Sequence, residues 1–271
     1  MYRIYSLLIL VFVISSCNNK LTKTLKSNDP ELKLKVAENF YAQKKYGDAQ
    51  VLFEDLFPVL RGTAHFEDLY YKYAYSAFYL KDYANSENLF KTFTETFPNS
   101  TRAEEADFMR AFCFYKQSPK VSLDQTSTAK AIGQMQVFIN NHPLSARIPE
   151  ATSIIDDCRA KLETKDYNSA ELYYNLGFYK AAAIAFDELL NNYPTTLKGE
   201  EYKLMVIKSY YLYAGNSIDD KQIERFDKVV NECIEFIDAF PESKLAKTVE
   251  YYKSQSLNNI NIKNEQAKKA A

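Results

Sequence analysis

Residues that carry chemistry are sparse in this chain. It has no tryptophan and only two histidines, His65 and His142, so no HExxH zinc helix can be written anywhere in it. The six glycines are too scattered to cradle a phosphate, and neither a P-loop nor an EF-hand loop occurs. Cys113, Cys158 and Cys233 lack CxxC spacing and fall in helical patterns, which makes them buried free thiols rather than a metal or redox pair. With no catalytic constellation, the chain is expected to be no enzyme and to hold no metal or cofactor. A net charge of −1 provides no basic surface for nucleic acid. Beyond Cys17 no second long apolar run occurs, so the rest reads as a body outside the bilayer.

The one long apolar run, Ser6 to Ile14, follows Arg3 and closes on Ile14-Ser15-Ser16-Cys17. It is too short to span a bilayer and reads as a secretory signal. An aliphatic residue, two small residues and a cysteine in that order resemble a lipobox, where a diacylglycerol is attached to the thiol and the leader is removed. Residues 1–16 are therefore expected as signal peptide, with Cys17 the lipidated first residue of the mature protein. Several acyl chains anchor stably where one binds only marginally. Residues 17–29 follow as a polar tether, of which Asn18–Asp29 fully extended reaches at most about 40 Å. Position 18 is Asn, and no acidic residue precedes Asp29. By resemblance to known sorting patterns, this points to the outer membrane, on its periplasmic face.

Scarce glycine and proline beside 22 Tyr and 18 Phe suit packed amphipathic helices. Four prolines follow a ring: Phe97-Pro98, His142-Pro143, Tyr193-Pro194 and Phe240-Pro241. Five residues before each stand Phe93, Phe138, Leu189 and Phe236; eight before, Phe90, Met135, Phe186 and Cys233; twelve before, Ser86, Ala131, Ala182 and Val229. That spacing puts one small and two large residues on one face of a helix that the proline ends. A preceding helix carries its own small residue. Ala37 with Phe40, Ala74 with Ala77, and Ala170 with Tyr173 each lie twelve residues before a second small residue, Ala49, Ser86 and Ala182. This is the tetratricopeptide pattern, in which small residues sit where paired helices cross closely. Ala111 to Ala131 and Ser209 to Val229 are twenty apart and fit if eight residues are inserted, at Ser118–Thr128 and Asn216–Glu224. The fold class expected is all-α, a tetratricopeptide-repeat superhelix of about five repeats over residues 30–257.

Some segments depart from the plain pattern. Pro58 stands four residues before the expected helix stop at Gly62, and repeat 5 places Val229 and Cys233 at small and aromatic positions. The 51 residues from Pro143 to Pro194 require a further helix, about Pro149–Glu163, either separate from repeat 4 or merged with its first helix. Residues 258–271, rich in Asn, Lys, Gln and Ala, read as a frayed polar tail.

Beside the packing positions of the first helices lie Tyr71, Tyr75, Phe78 and Tyr79 in repeat 2, and Phe108, Phe112 and Tyr115 in repeat 3. These seven rings either form a groove for an extended peptide with apolar side chains or are buried as core. The lipobox, short tether, five repeats and polar tail together resemble the BamD family of outer-membrane β-barrel assembly lipoproteins. The resemblance implies a periplasmic scaffold that binds the POTRA domains of a BamA-like protein through its C-terminal repeats. It also implies that the N-terminal repeats receive unfolded outer-membrane proteins. The long turns of repeats 3 and 5 depart from the family's plain repeat, so no residue-level contact carries over. Another tetratricopeptide envelope-biogenesis or division lipoprotein would share these features. A glycan-binding lipoprotein fits less well, since such proteins use Trp platforms.

Overall fold

The computed structural model describes residues 20–270. The expected leader and Cys17 lie outside them. The chain divides after Arg159 into two compact units. The first contains α1 (Pro30–Ala42), α2 (Tyr46–Leu60), α3 (Phe66–Tyr79), α4 (Tyr83–Thr96), α5 (Ala103–Gln117) and α6 (Thr126–Asn141), with the first part of α7 (Ile148–Asn175). The second contains the rest of α7, then α8 (Tyr179–Asn192), α9 (Gly199–Gly215), α10 (Asp219–Ala239) and α11 (Ala246–Ala270). Neighbours in sequence pack together from α1 to α6 and from α8 to α11.

The small and large positions of the repeat pattern form the core. Ala37, Ala49, Ala74, Ser86, Ala111, Ala131, Ala170, Ala182, Ser209 and Val229 are buried, and so are Phe53, Phe90, Phe93, Met135, Phe138, Phe186, Cys233 and Phe236 beside them. A single position fails. Tyr173 is exposed, because the extra helix and the first helix of repeat 4 merge into one 28-residue α7. Its first stretch sends Ala151, Ile154, Ile155 and Cys158 into the core of the first unit. Its second stretch packs Tyr167, Ala170 and Tyr174 within the second unit, and a helix of 3.6 residues per turn then leaves Leu172, Tyr173 and Leu176 on the open side.

The twelve-residue spacing has a backbone cause. Seven residues after Ala37, Ala74 and Ala170, the chain turns through the left-handed region at Lys44 (φ 59°), Lys81 (φ 65°) and Gly177 (φ 80°). The next amide reaches back to close each turn: Lys45 N donates to the Phe40 carbonyl at 2.8 Å, Asp82 N to Ala77 at 3.0 Å and Phe178 N to Tyr173 at 2.9 Å. This Schellman geometry satisfies the last carbonyls of the helix and sets the re-entry point of the next one.

The two insertions are spent differently. In repeat 3 they form a loop between α5 and α6, plugged by buried Gln125. Its amide donates to the carbonyls of Lys120 at 2.8 Å and Leu123 at 3.0 Å, and its oxygen accepts from Thr128 at 2.6 Å. In repeat 5 they lengthen the helices, α9 to 17 residues and α10 to 21, leaving only Asn216, Ser217 and Ile218 between them.

The ring-proline pairs end their helices in one conformation. Phe97, His142, Tyr193 and Phe240 have φ between −124° and −130° and ψ between 59° and 61°, and each donates its N–H to Phe93, Phe138, Leu189 or Phe236 respectively. Proline disfavours the helical region for the residue before it, and at these four positions the chain leaves the helix there. Two residues after each proline stands a hydroxyl. Ser100, Ser145, Thr196 and Ser243 accept an N–H two residues on and donate to Glu67, Glu104, Glu163 and Glu200 at 2.5–2.7 Å. These hydroxyls tie each outgoing turn to an earlier helix, with charge-assisted bonds that hold the register of successive repeats. Repeat 1 lacks the pair at its stop: α2 runs through Pro58 to Leu60, and Gly62 (φ 85°) makes the turn.

Both ends differ from the expectation of polar, unstructured chain. Within the segment expected as tether, residues 20–25 are helical, and Leu21 and Leu25 pack against the first unit's core. The tail expected to fray over 258–271 continues α11 to Ala270, and Lys263 pairs with Asp219 at 2.7 Å. Cys113, Cys158 and Cys233 are buried free thiols, and burial pushes those of Cys113 and Cys233 up to about 12. His142 packs its ring 5.1 Å from Phe138 and bonds Asp107 at 3.0 Å.

Candidate functional site

α3 and α5 are the first helices of repeats 2 and 3, packed successively on α4. Rings beside their crossing residues Ala74, Ala77 and Ala111 therefore meet across the helices. Tyr75 lies 5.8 Å from Tyr79 and 6.4 Å from Phe78, between ring centroids. Phe78 stacks on Phe112 at 5.9 Å, and Phe112 lies 5.8 Å from Tyr115. Tyr71 joins through Tyr75 at 4.9 Å. Six of the seven rings thus form one strip in which Tyr71, Tyr75, Phe78, Phe112 and Tyr115 are half-buried against the core and Tyr79 is 46% exposed. Phe108 stacks on Phe112 at 5.8 Å but lies beneath the strip and presents no open face. At 1% exposure it is core, with its edge against Phe138 at 5.4 Å and the Arg147 guanidinium 4.4 Å over its ring.

Charge borders the strip. The Tyr75 hydroxyl donates to Glu105 at 2.5 Å, and Arg147 grips the two Glu105 oxygens at 3.0 and 2.9 Å. Burial and then that bond raise the Tyr75 phenol far above its ordinary value, so it stays a neutral donor. Arg102 lies 4.7 Å over Tyr71 and pairs with Asp68 at 2.7 Å; Lys72 bonds the same carboxylate at 2.6 Å. Burial pushes the Asp68 carboxyl up, but the Lys72 and Arg102 bonds outweigh it and hold the group below the ordinary carboxylate range. Lys116 sits 4.7 Å over Phe112. The rings are thus held in fixed orientations, with cations over the faces of Tyr71 and Phe112, an arrangement suited to apolar or aromatic side chains of an extended chain.

Several members of the strip lie beyond the positions that the repeat pattern singles out. Tyr46, at the start of α2, stacks on Tyr79 at 4.5 Å, and Tyr41 lies 5.5 Å beyond it, so the strip continues into repeat 1. Neither belongs to the first helices of repeats 2 and 3, where the surplus of rings stands out in the sequence. Arg102 and Arg147 stand four residues after Pro98 and Pro143, a recurrence visible in the sequence.

Helix pairs crossing at small residues, closed by repeated turn and cap geometry, define a tetratricopeptide-repeat protein with an aromatic strip on adjacent first helices. The model of the YfiO family, described as outer membrane lipoprotein, matches residues 29–225, and the chain belongs to that family. A protein of Aquifex aeolicus (strain VF5) named putative outer membrane protein assembly factor BamD is 26% identical over 209 residues, 76% of this chain and 68% of its own length. The outer membrane protein assembly factor BamD of Rickettsia prowazekii (strain Madrid E) is 23% identical over 211 residues, 76% of this chain and 82% of its own. Among solved structures, a thermophilic tetratricopeptide-repeat protein from Thermus thermophilus aligns with 84% of this chain and 99% of its own, at 14% identity and a TM-score of 0.32.

Proposed function

We propose that this chain is a lipid-anchored scaffold of outer-membrane protein assembly, on the periplasmic face of the outer membrane. In this reading Cys17 carries the lipid, repeats 4 and 5 hold a BamA-like POTRA protein and other subunits, and the strip of repeats 2 and 3 receives unfolded β-barrel chains. The observation that carries it is the continuous strip from Tyr79 through Tyr75, Phe78 and Phe112 to Tyr115, partly exposed in a chain of the outer membrane lipoprotein family. Ordered rings present contact area at low entropic cost, which suits binding to many sequences that share only apolar periodicity.

Titration calorimetry with a C-terminal peptide of a β-barrel protein tests it. Tyr79→Ala/Phe112→Ala should lose about 2 kcal/mol or more of peptide affinity if both rings are hot spots. Tyr75→Phe, which keeps the ring and removes the bond to Glu105, should lose much less. Equal affinity of the double variant and wild type would reject the strip, and a large drop in melting temperature would assign these rings to the core instead.

A further inference from the structure

The second unit holds a cleft of about 530 Å³, lined by Tyr210 and Tyr213 of α9, Lys180 near the start of α8, and Arg225, Lys228 and Asn231 of α10. Lys221 and Glu224 complete one edge and pair with each other at 3.0 Å; Asp227 is the other carboxylate in the lining. Four cations therefore face two carboxylates. The segment that lengthens repeat 5 contributes Lys221 and Glu224 and leads directly into Arg225, so the cleft is built by this chain's departure from the plain repeat.

Arg225, Lys228 and Lys221 are held by neighbours, and Arg225 and Lys180 have no carboxylate partner among the described residues. Arg225 stacks 4.1 Å over the Tyr213 ring, donates to the Ser217 hydroxyl and pairs with no carboxylate among the described residues. Lys180 likewise has no ion-pair partner among them. Lys228 is fixed from behind by Glu232 at 2.6 Å, a buried carboxylate that also takes Lys203 at 2.5 Å. A guanidinium already stacked on a ring loses little freedom when it donates to a carboxylate, and its fork matches two oxygens at once. Two residues before Lys180 and three before Lys221 in the sequence, Phe178 is 60% exposed and Ile218 is 72% exposed.

We propose that this cleft binds an acidic peptide segment of a partner protein, a carboxylate entering between Lys180 and Arg225 while neighbouring apolar side chains rest on Phe178 and Ile218. The charge excess selects an anion, and the volume falls in the range of about 300–1,000 Å³ typical of ligand clefts, here open to solvent. Only Arg225 of the pair is partly buried, with Lys180 exposed at the rim, an arrangement that suits a carboxylate side chain reaching into the cleft better than the flat face of an anionic bilayer. The inference deepens the assembly reading, which gives repeats 4 and 5 to a partner protein, and its residues on α8, α9 and α10 are ones the aromatic strip does not use, so the two can fail separately.

The test is fluorescence anisotropy of the purified full-length protein in detergent with a fluorescein-labelled peptide of alternating Glu and Phe. The expected result is saturable binding that weakens with salt, with the analogue carrying Gln in place of each Glu at least about 10-fold weaker. Lys180→Gln/Arg225→Gln should weaken the Glu peptide by about 10-fold with an unchanged melting temperature. Should the double variant melt lower, Lys180→Gln alone, on an exposed side chain, carries the comparison. Equal binding of the Glu and Gln peptides, or unchanged binding by the variants, overturns the proposal. So does binding of phosphatidylglycerol in mixed micelles without binding of the peptide, which would make the cleft a lipid site.

Discussion

Cys17→Ala should abolish lipidation and release the mature form from the membrane. The expectation rests on Ile14-Ser15-Ser16-Cys17 closing the only long apolar run of the chain. Among the described residues no helix is long and apolar enough to cross a membrane, so within them no second anchor of that kind would compensate. The effect is near all-or-none, because several acyl chains supply stable attachment and the polypeptide surface supplies little. Fractionation with intact-mass analysis checks it: wild type should carry the added lipid mass on Cys17 and sediment with membranes. An unmodified Cys17 in the wild-type mature protein would remove the anchor from the account.

Ala182→Leu and Ser86→Leu should each cost about 1–3 kcal/mol of stability. Ala182 is fully buried on α8 in the cluster that holds Ala170, Phe186 and Tyr202, and three added carbons there must push α7 and α8 apart. Ser86 is the more constrained of the two. Its hydroxyl donates to the Ala74 carbonyl at 3.1 Å across the helix crossing and lies 3.5 Å from the Cys113 sulfur, so leucine adds volume and removes a buried bond together. Exposed Val51 provides the control, since Val51→Leu adds a carbon to the same repeat array without entering the core. Denaturant unfolding measures all three. If the two core variants unfold with wild type, the helix register is wrong.

Much of this register is legible in the sequence because tetratricopeptide packing is written in residue size. Ala37, Ala74, Ala131 and Ala182 recur where only a small side chain allows helices to approach, and Pro98, Pro143, Pro194 and Pro241 mark four helix ends without ambiguity. Turns are harder to read. Lys44 and Lys81 take a left-handed conformation usually left to glycine, so nothing in their identity announces a turn; only their shared distance from Ala37 and Ala74 does. The fusion of α7 is one of two readings that a proline-to-proline count permits, and the exposure of Tyr173 follows from it. Periodicity also marks an apolar face without saying how deeply each member sits. Phe108 and Phe112 are one helical turn apart, yet Arg147 and Phe138 close over the first and leave the second half-open. The hydroxyls of Ser100, Ser145, Thr196 and Ser243 form a fourfold recurrence in the sequence, but their carboxylate partners lie 33 to 43 residues away and become visible only in the fold.

The central claim is that this chain works as a scaffold in outer-membrane protein assembly. The most direct measurement is affinity purification of the lipidated protein from detergent-solubilised membranes, followed by quantitative mass spectrometry. The account predicts recovery of a POTRA-bearing β-barrel protein in near-equal amount, retained when Tyr79 and Phe112 are replaced by alanine. Recovery of the chain alone, or only with proteins of cell division or wall synthesis, would contradict it.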